Sequence, residues 1–447
     1  MCTFLRFVVG AAIVALLSVL AHAAHAANVQ FSQQGQKLVG ARAVGPAGQG
    51  FSVALSANGN TAIAGGRMDN GFAGAAWIFT RSGDIWSQQG DKLFGSGSVG
   101  SGQQGTSVAL SADGNTAIVG APTDNGDAGA VWIYIRSGSV WIQQGAKLVG
   151  TGAIGTAFQG VSVALSADGN TAIVGGPDDN TFVGAAWVYT RSGGVWNQQG
   201  TKLVGSGGAA VSNQGNAVAL SADGNTAIVG GNADNLNVGA VWVYTRSSGV
   251  WSQQGSKLVG TGAVGTACQG ISVGLSGDGN TAIVGGWCDN TYAGAAWVFT
   301  RTGTVWSQQG TKLVGTGASA FASQGYAVAL SADGNSAIVG GHEDNGATGA
   351  LWVYTRSGGV WSQEGTKLVG TGAVGTAGQG YSVALSADGN TALAGGWGDN
   401  GYTGAVWVYA AQAPGPVPAA PIATLGSAAV LALSAALAAV GLLVLRQ

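Results

Sequence analysis

Seven tryptophans, Trp77, Trp132, Trp187, Trp242, Trp297, Trp352 and Trp407, follow one another at intervals of 55 residues. The same interval separates seven aspartates (Asp69, Asp124, Asp179, Asp234, Asp289, Asp344 and Asp399) and seven lysines running from Lys37 to Lys367. No insertion disturbs the register. A period this long marks a repeated supersecondary unit, in which each copy buries its apolar face against its neighbours rather than alone. The length of 447 residues, which would otherwise point to several domains, is almost wholly accounted for by this repeat.

One copy reads as four short strands. "VSVALS" (161–166) turns through "ADGN" into "TAIVGG" (171–176), and "GAAWVYTR" (184–191) turns through "SGG" into "VWNQQGTKLVG" (195–205). The alternation and the β-branched residues predict strands, with Val163 and Leu165 facing one way and Trp187 and Tyr189 another. Both hairpins carry glycine-containing turns, and no stretch of the repeat has helical periodicity with caps. Four-stranded units at this period predict an all-β fold, a β-propeller. The repeat region opens on a fourth-strand sequence, "NVQFSQQGQKLVG" (28–40), and finishes on a third strand, "GAVWVYA" (404–410), that lacks its fourth. Donating the first to the last closes a ring of seven four-stranded blades over 28–410. Closure removes the exposed edges of an open array, which would need capping repeats that the chain lacks.

Composition narrows the function. Charged residues make up 8% of the chain and the net charge is −2, with no basic run, so nucleic acid is not an expected partner. Residues 1–27, with Arg6, an apolar run from Phe7 to Leu20 and small residues up to Ala27, read as a secretory signal peptide. Past it only Cys268 and Cys288 remain, both in one repeat and at comparable distances from a hairpin turn. Export favours their oxidation to a disulfide, against two free thiols. Residues 411–421 form a Pro/Ala linker, and 422–447 are apolar enough to span a bilayer, which takes about 20 residues as a helix.

Two resemblances follow from these residues. The repeat "QGVSVALSADGNTAIVGGPDDN…GAAWVYTRSGGVW" resembles the FG-GAP repeats of exported bacterial proteins, related to the propeller of integrin α-chains. Gln159-Gly160 stands at the "FG" position, and "GAP" is present as Gly120-Ala121-Pro122 and altered as Gly175-Gly176-Pro177. The resemblance covers 28–410 and implies a propeller that binds other molecules, often at a cell surface. "PIATL" (421–425), the apolar segment and Arg446 resemble the IPTL-type C-terminal sorting signals of Gram-negative bacteria, with an alanine interrupting the motif and one arginine in place of a basic cluster. That implies an inner-membrane anchor that a sorting enzyme removes, leaving the protein at the cell surface or outside the cell; a plain membrane anchor is the alternative.

The recurrent acids raise calcium as a cofactor. Some FG-GAP repeats carry a D-x-D-x-D-G loop between their first two strands. Here "SADGNTA" offers only Asp168 and Asn170 around Gly169, too few for an ion that takes six to eight oxygens. Asp-Gly is by itself a favoured hairpin turn, and Asn58-Gly59 replaces it in the first copy. The second acids, Asp69, Asp124, Asp179, Asp234, Asp289, Asp344 and Asp399, form either a ring of cation ligands or a set of turn caps. Catalysis is not expected: after the signal peptide the chain holds one histidine, His342, and its acids sit in equivalent repeat positions.

Variation among the copies collects in the loop around the Asp-Asn pair and in the connection from fourth to first strand, which open on one face of an up-and-down blade. These loops carry Phe158, Phe182, Trp287, Tyr292, Phe321, His342, Trp397 and Tyr402, the candidate ligand-binding residues. Aromatics on loops held by a rigid scaffold suit recognition of proteins or sugars; the alternative is that they fold back over the core. The expected function is a non-enzymatic, monomeric binding or adhesion propeller for a surface protein or glycan. A lectin-like propeller and a structural envelope protein without a soluble ligand are the rivals.

Overall fold

A computed structural model describes residues 30–412. The signal peptide expected over 1–27, most of the 411–421 linker and the apolar segment 422–447 lie outside the described residues. Within them are seven four-stranded antiparallel sheets. The third blade is representative, with strands Ser162–Leu165, Thr171–Gly176, Ala185–Ser192 and Val195–Gln198 in that spatial order. The fourth strand is shorter than the sequence predicts. It leaves the ladder at Gly200, which adopts φ +73°, and touches the sheet again only at Leu203, bonded in both directions to Ala186.

The register corrects one expectation. Val163 lies opposite Val174, and Val174 opposite Trp187, so the three share a face. Val163, Leu165, Trp187 and Tyr189 all pack toward the preceding blade, against Ile118, Val131 and Ile133. Alternation sets parity within a strand, but register decides which parities coincide across strands.

Each blade grips the one before it. Trp187 is fully buried and its Nε1 donates to the Thr151 carbonyl at 2.8 Å. A Cβ on Gly150 would fall within the Trp187 indole, so the chain crosses the ring face only as glycine. Gln144 of the preceding blade accepts from Trp196 Nε1 at 2.9 Å and from Arg191 Nη1 at 3.2 Å. A further circuit runs through the first hairpin turns: Ala57 N donates to Ala112 O, Ala112 to Ala167, and so on until Ala387 N returns to Ala57 O at 3.0 Å.

The ring closes as expected. Residues Gln30–Gln33 pair with Ala405–Gln412 and supply the fourth strand of the last blade. The third strand thus runs two residues past 410. The seam repeats the contacts of the other blades, with Lys37 on Asp399 at 2.5 Å and Gln33 Oε1 accepting from Thr371 N at 2.7 Å. The first strands surround the axis and leave a narrow channel of about 200 Å³.

Candidate functional site

The "SADGN" segments are turns whose serine, aspartate and asparagine side chains are hydrogen-bonded. Asp168 Oδ1 accepts from Ser166 Oγ at 2.5 Å and from Asn170 N at 2.9 Å, and its Oδ2 accepts from Asn170 Nδ2 at 2.9 Å. Gly169 takes the left-handed conformation that the turn requires, at φ +66°. Burial pushes the Asp168 carboxyl up, but the Ser166 and Asn170 hydrogen bonds and the Arg191 charge outweigh it and hold its pKa below the ordinary value. In the first blade Asn58 Oδ1, without a charge, accepts the same two bonds from Ser56 Oγ and Asn60 N.

The second acids face inward. Asp179 is 1% exposed; its Oδ2 meets Lys202 Nζ at 2.5 Å and its Oδ1 accepts from Ile154 N at 2.7 Å. All seven aspartates are paired with a lysine in this way. An internal ammonium thus occupies the position that the cation reading gave to a metal. Among the described residues no three His, Cys, Asp or Glu side chains gather as a ligand set.

Directly after each aspartate the chain makes a left-handed turn. Asn180, Thr181 and Phe182 have φ of 51°, 57° and 68°. Glycine takes the middle place in four blades, whereas Thr181, Leu236 and Thr291 occupy it in the others. Where the last residue of the turn is aromatic its ring is left half exposed, as at Phe72, Phe182, Tyr292 and Tyr402, 46–49% exposed.

On this face the structure assembles a continuous aromatic arc across the fifth, sixth, seventh and first blades. Trp287 packs on Tyr292 (centroids 5.2 Å apart) and on Tyr326 (5.9 Å); Tyr326 packs on His342 (4.3 Å) and on Tyr381 (4.8 Å). Tyr381 continues to Phe51 (4.8 Å) and Trp397 (5.8 Å), and Trp397 stacks on Tyr402 (5.2 Å). Five of the eight candidate residues therefore join one network. Phe158 stands across the channel mouth, lining a cavity of about 450 Å³ with Phe51, Tyr326 and Tyr381. Phe321, 60% exposed, joins Trp287 and Tyr292 around a neighbouring hollow. Phe182 makes no ring contact with the arc.

Phe51, Tyr326, Tyr381 and Arg67 are not among the sequence candidates, yet they form the centre of the site. The signal is present in the chain: the residue after each Gln-Gly or its equivalent is Phe51, Thr106, Val161, Asn216, Ile271, Tyr326 and Tyr381, while the following strand residues hardly change. That position reads as the start of a scaffold strand, which conceals it.

Several polar atoms here lack partners. Trp287 Nε1, His342 Nδ1 and Arg67 Nε are buried without a hydrogen bond. His342 Nε2 lies 3.2 Å from the Glu343 carboxylate, which is half exposed, and burial dominates, pushing the imidazole down to about 4. Burial also pushes Tyr326 and Tyr381 up, with Arg67 opposing it, and the two hydroxyls are 3.0 Å apart. At neutral pH His342, Tyr326 and Tyr381 are therefore uncharged, with the Arg67 guanidinium beside them. Cys268 and Cys288 are bonded, with Cα atoms 5.5 Å apart, and tie the two variable loops of the fifth blade together beside Trp287.

The chain matches no protein-family model and no curated protein.

Proposed function

We propose that this protein is an exported, non-enzymatic binding propeller of FG-GAP type, held by its C-terminal segment or displayed at the cell surface, which engages a surface protein or glycan through its loop face. The carrying observation is the aromatic arc from Trp287 to Tyr402, built where otherwise near-identical blades differ. Half-buried rings on a rigid scaffold give contact area at low entropic cost, as suits recognition. The Cys268–Cys288 bond supports an oxidising compartment, in keeping with the signal-like residues 1–27.

The test is attachment of cells or beads displaying the full chain. A double variant, Tyr326→Ala with Tyr381→Ala, is compared with Ser192→Ala, an exposed residue at the hairpin turn on the opposite face. Loss of attachment in the double variant alone, assayed at a temperature where its melt shows it still folded, is the expected result. Equal attachment by all variants would favour a structural envelope role.

A further inference from the structure

Among the described residues the fold leaves one cation without a polar partner. The seven repeat lysines each meet a buried aspartate, as Lys202 meets Asp179. The third-strand arginines bond asparagine and glutamine side chains, as Arg191 does with Asn170 and Gln144, and Arg42 meets Asp91. Arg67 has instead the ring of Phe51, 4.0 Å from its guanidinium carbon, and its Nε is buried without an acceptor. A guanidinium partly withdrawn from water and stacked on an aromatic face is held in place to receive an anion.

The cavity that Arg67 lines mixes aromatic and polar groups. Phe51, Tyr326 and Tyr381 supply an aromatic wall, and Gln103, Thr106 and Thr123 of the second blade and Asn216 of the fourth supply polar groups, with the apolar Phe158 and Val161 between them. Its volume of about 450 Å³ falls within the range of small-ligand sites. A sugar ring has this character, with a C–H face that stacks on aromatics and an edge of hydroxyls. One guanidinium, with no second cation lining the cavity, matches a single negative charge, and its planar fork fits a carboxylate in bidentate fashion.

We propose that the mouth of the axial channel binds a carboxylated sugar, a uronic acid residue, with Arg67 on the carboxylate, Tyr326 and Tyr381 against the ring, and the side chains of Gln103, Thr106, Thr123 and Asn216 as partners for the hydroxyls. This rests on the reading of the loop face as a binding surface and specifies its ligand.

The test is titration calorimetry on the full chain in detergent, with methyl β-D-glucuronide and methyl α-D-galacturonide as probes and methyl β-D-glucoside and inorganic phosphate as comparisons. At least one uronide is expected to bind about tenfold or more tightly than the glucoside, the size of one charge-assisted pairing. R67Q is expected to remove that preference while the melting temperature holds. Equal binding of glucoside and uronide, tighter binding of phosphate, binding of neither uronide, or a preference that survives R67Q would each overturn the proposal. The wild-type comparison decides the matter even if R67Q does not fold. Attachment that persists without uronide binding would sink this proposal alone and leave the binding-face reading standing.

Discussion

Lys202 Nζ lies 2.5 Å from Asp179 Oδ2, and the aspartate is 1% exposed while the lysine side chain is 16% exposed. The pair joins the segment after the fourth strand to the loop after the second, and the same carboxylate holds Ile154 N. Sequence position alone, 23 residues apart, does not announce this contact.

Lys202→Met leaves the Asp179 carboxylate buried and unpaired, a change that costs about 3 kcal/mol or more. Adding Asp179→Asn should recover part of the loss. Denaturant unfolding of the two variants checks this, and a double variant no better than the single would contradict it.

Gly150→Ala should destabilise the interface between the second and third blades, because the added methyl meets the Trp187 indole. Overpacking of this kind costs about 1–3 kcal/mol. A thermal melt reads it.

Thr181→Gly should stabilise the protein. Thr181 is a β-branched residue at φ 57°, a region that costs a non-glycine residue roughly 1–2 kcal/mol. The greater freedom of glycine in the unfolded chain offsets part of that, leaving a gain on the order of 0.5–1 kcal/mol. A lower melting temperature would refute the strain argument.

Acid should weaken the fold in two windows. His342 has its pKa lowered to about 4 by burial, below the roughly 6.5 of an exposed histidine. The unfolded chain therefore binds its proton first, so stability from the neutral imidazole is present above about 6.5 and is lost as pH falls toward 4. The carboxyls of Asp113, Asp168, Asp223, Asp278, Asp333 and Asp388 are held below their ordinary value, so their contribution is present above about 3.9 and is lost only at still lower pH. His342→Phe, which keeps a ring beside Tyr326, should flatten the upper window and leave the lower one. Melting temperature against pH measures both.

Calcium should not raise the melting temperature, and a chelator should not lower it. A ligand of the native state alone would shift it, but Asp179 already holds Lys202, and Asn58 shows that the hairpin turn forms without a carboxylate.

The blade count, the ring closure and the Cys268–Cys288 pairing were legible because each follows from repetition or from its interruption. A 55-residue period carries strand number and turn type directly, and a lone fourth strand at one end implies the missing partner at the other. The aromatic arc was legible in part. Trp287, His342 and Trp397 stand out as departures from the repeat, whereas Phe51, Tyr326 and Tyr381 lie where a strand begins and read as scaffold.

Local pattern determined the strands, the turns and the faces on which copies differ, since these depend on residues close in the chain. Only the tertiary structure decided that Val163 shares a face with Trp187, that Lys202 reaches Asp179, and that rings from four blades meet at the channel mouth. Register and blade-to-blade docking place residues side by side across tens or hundreds of positions, and no single repeat contains the information for contacts made between two of them.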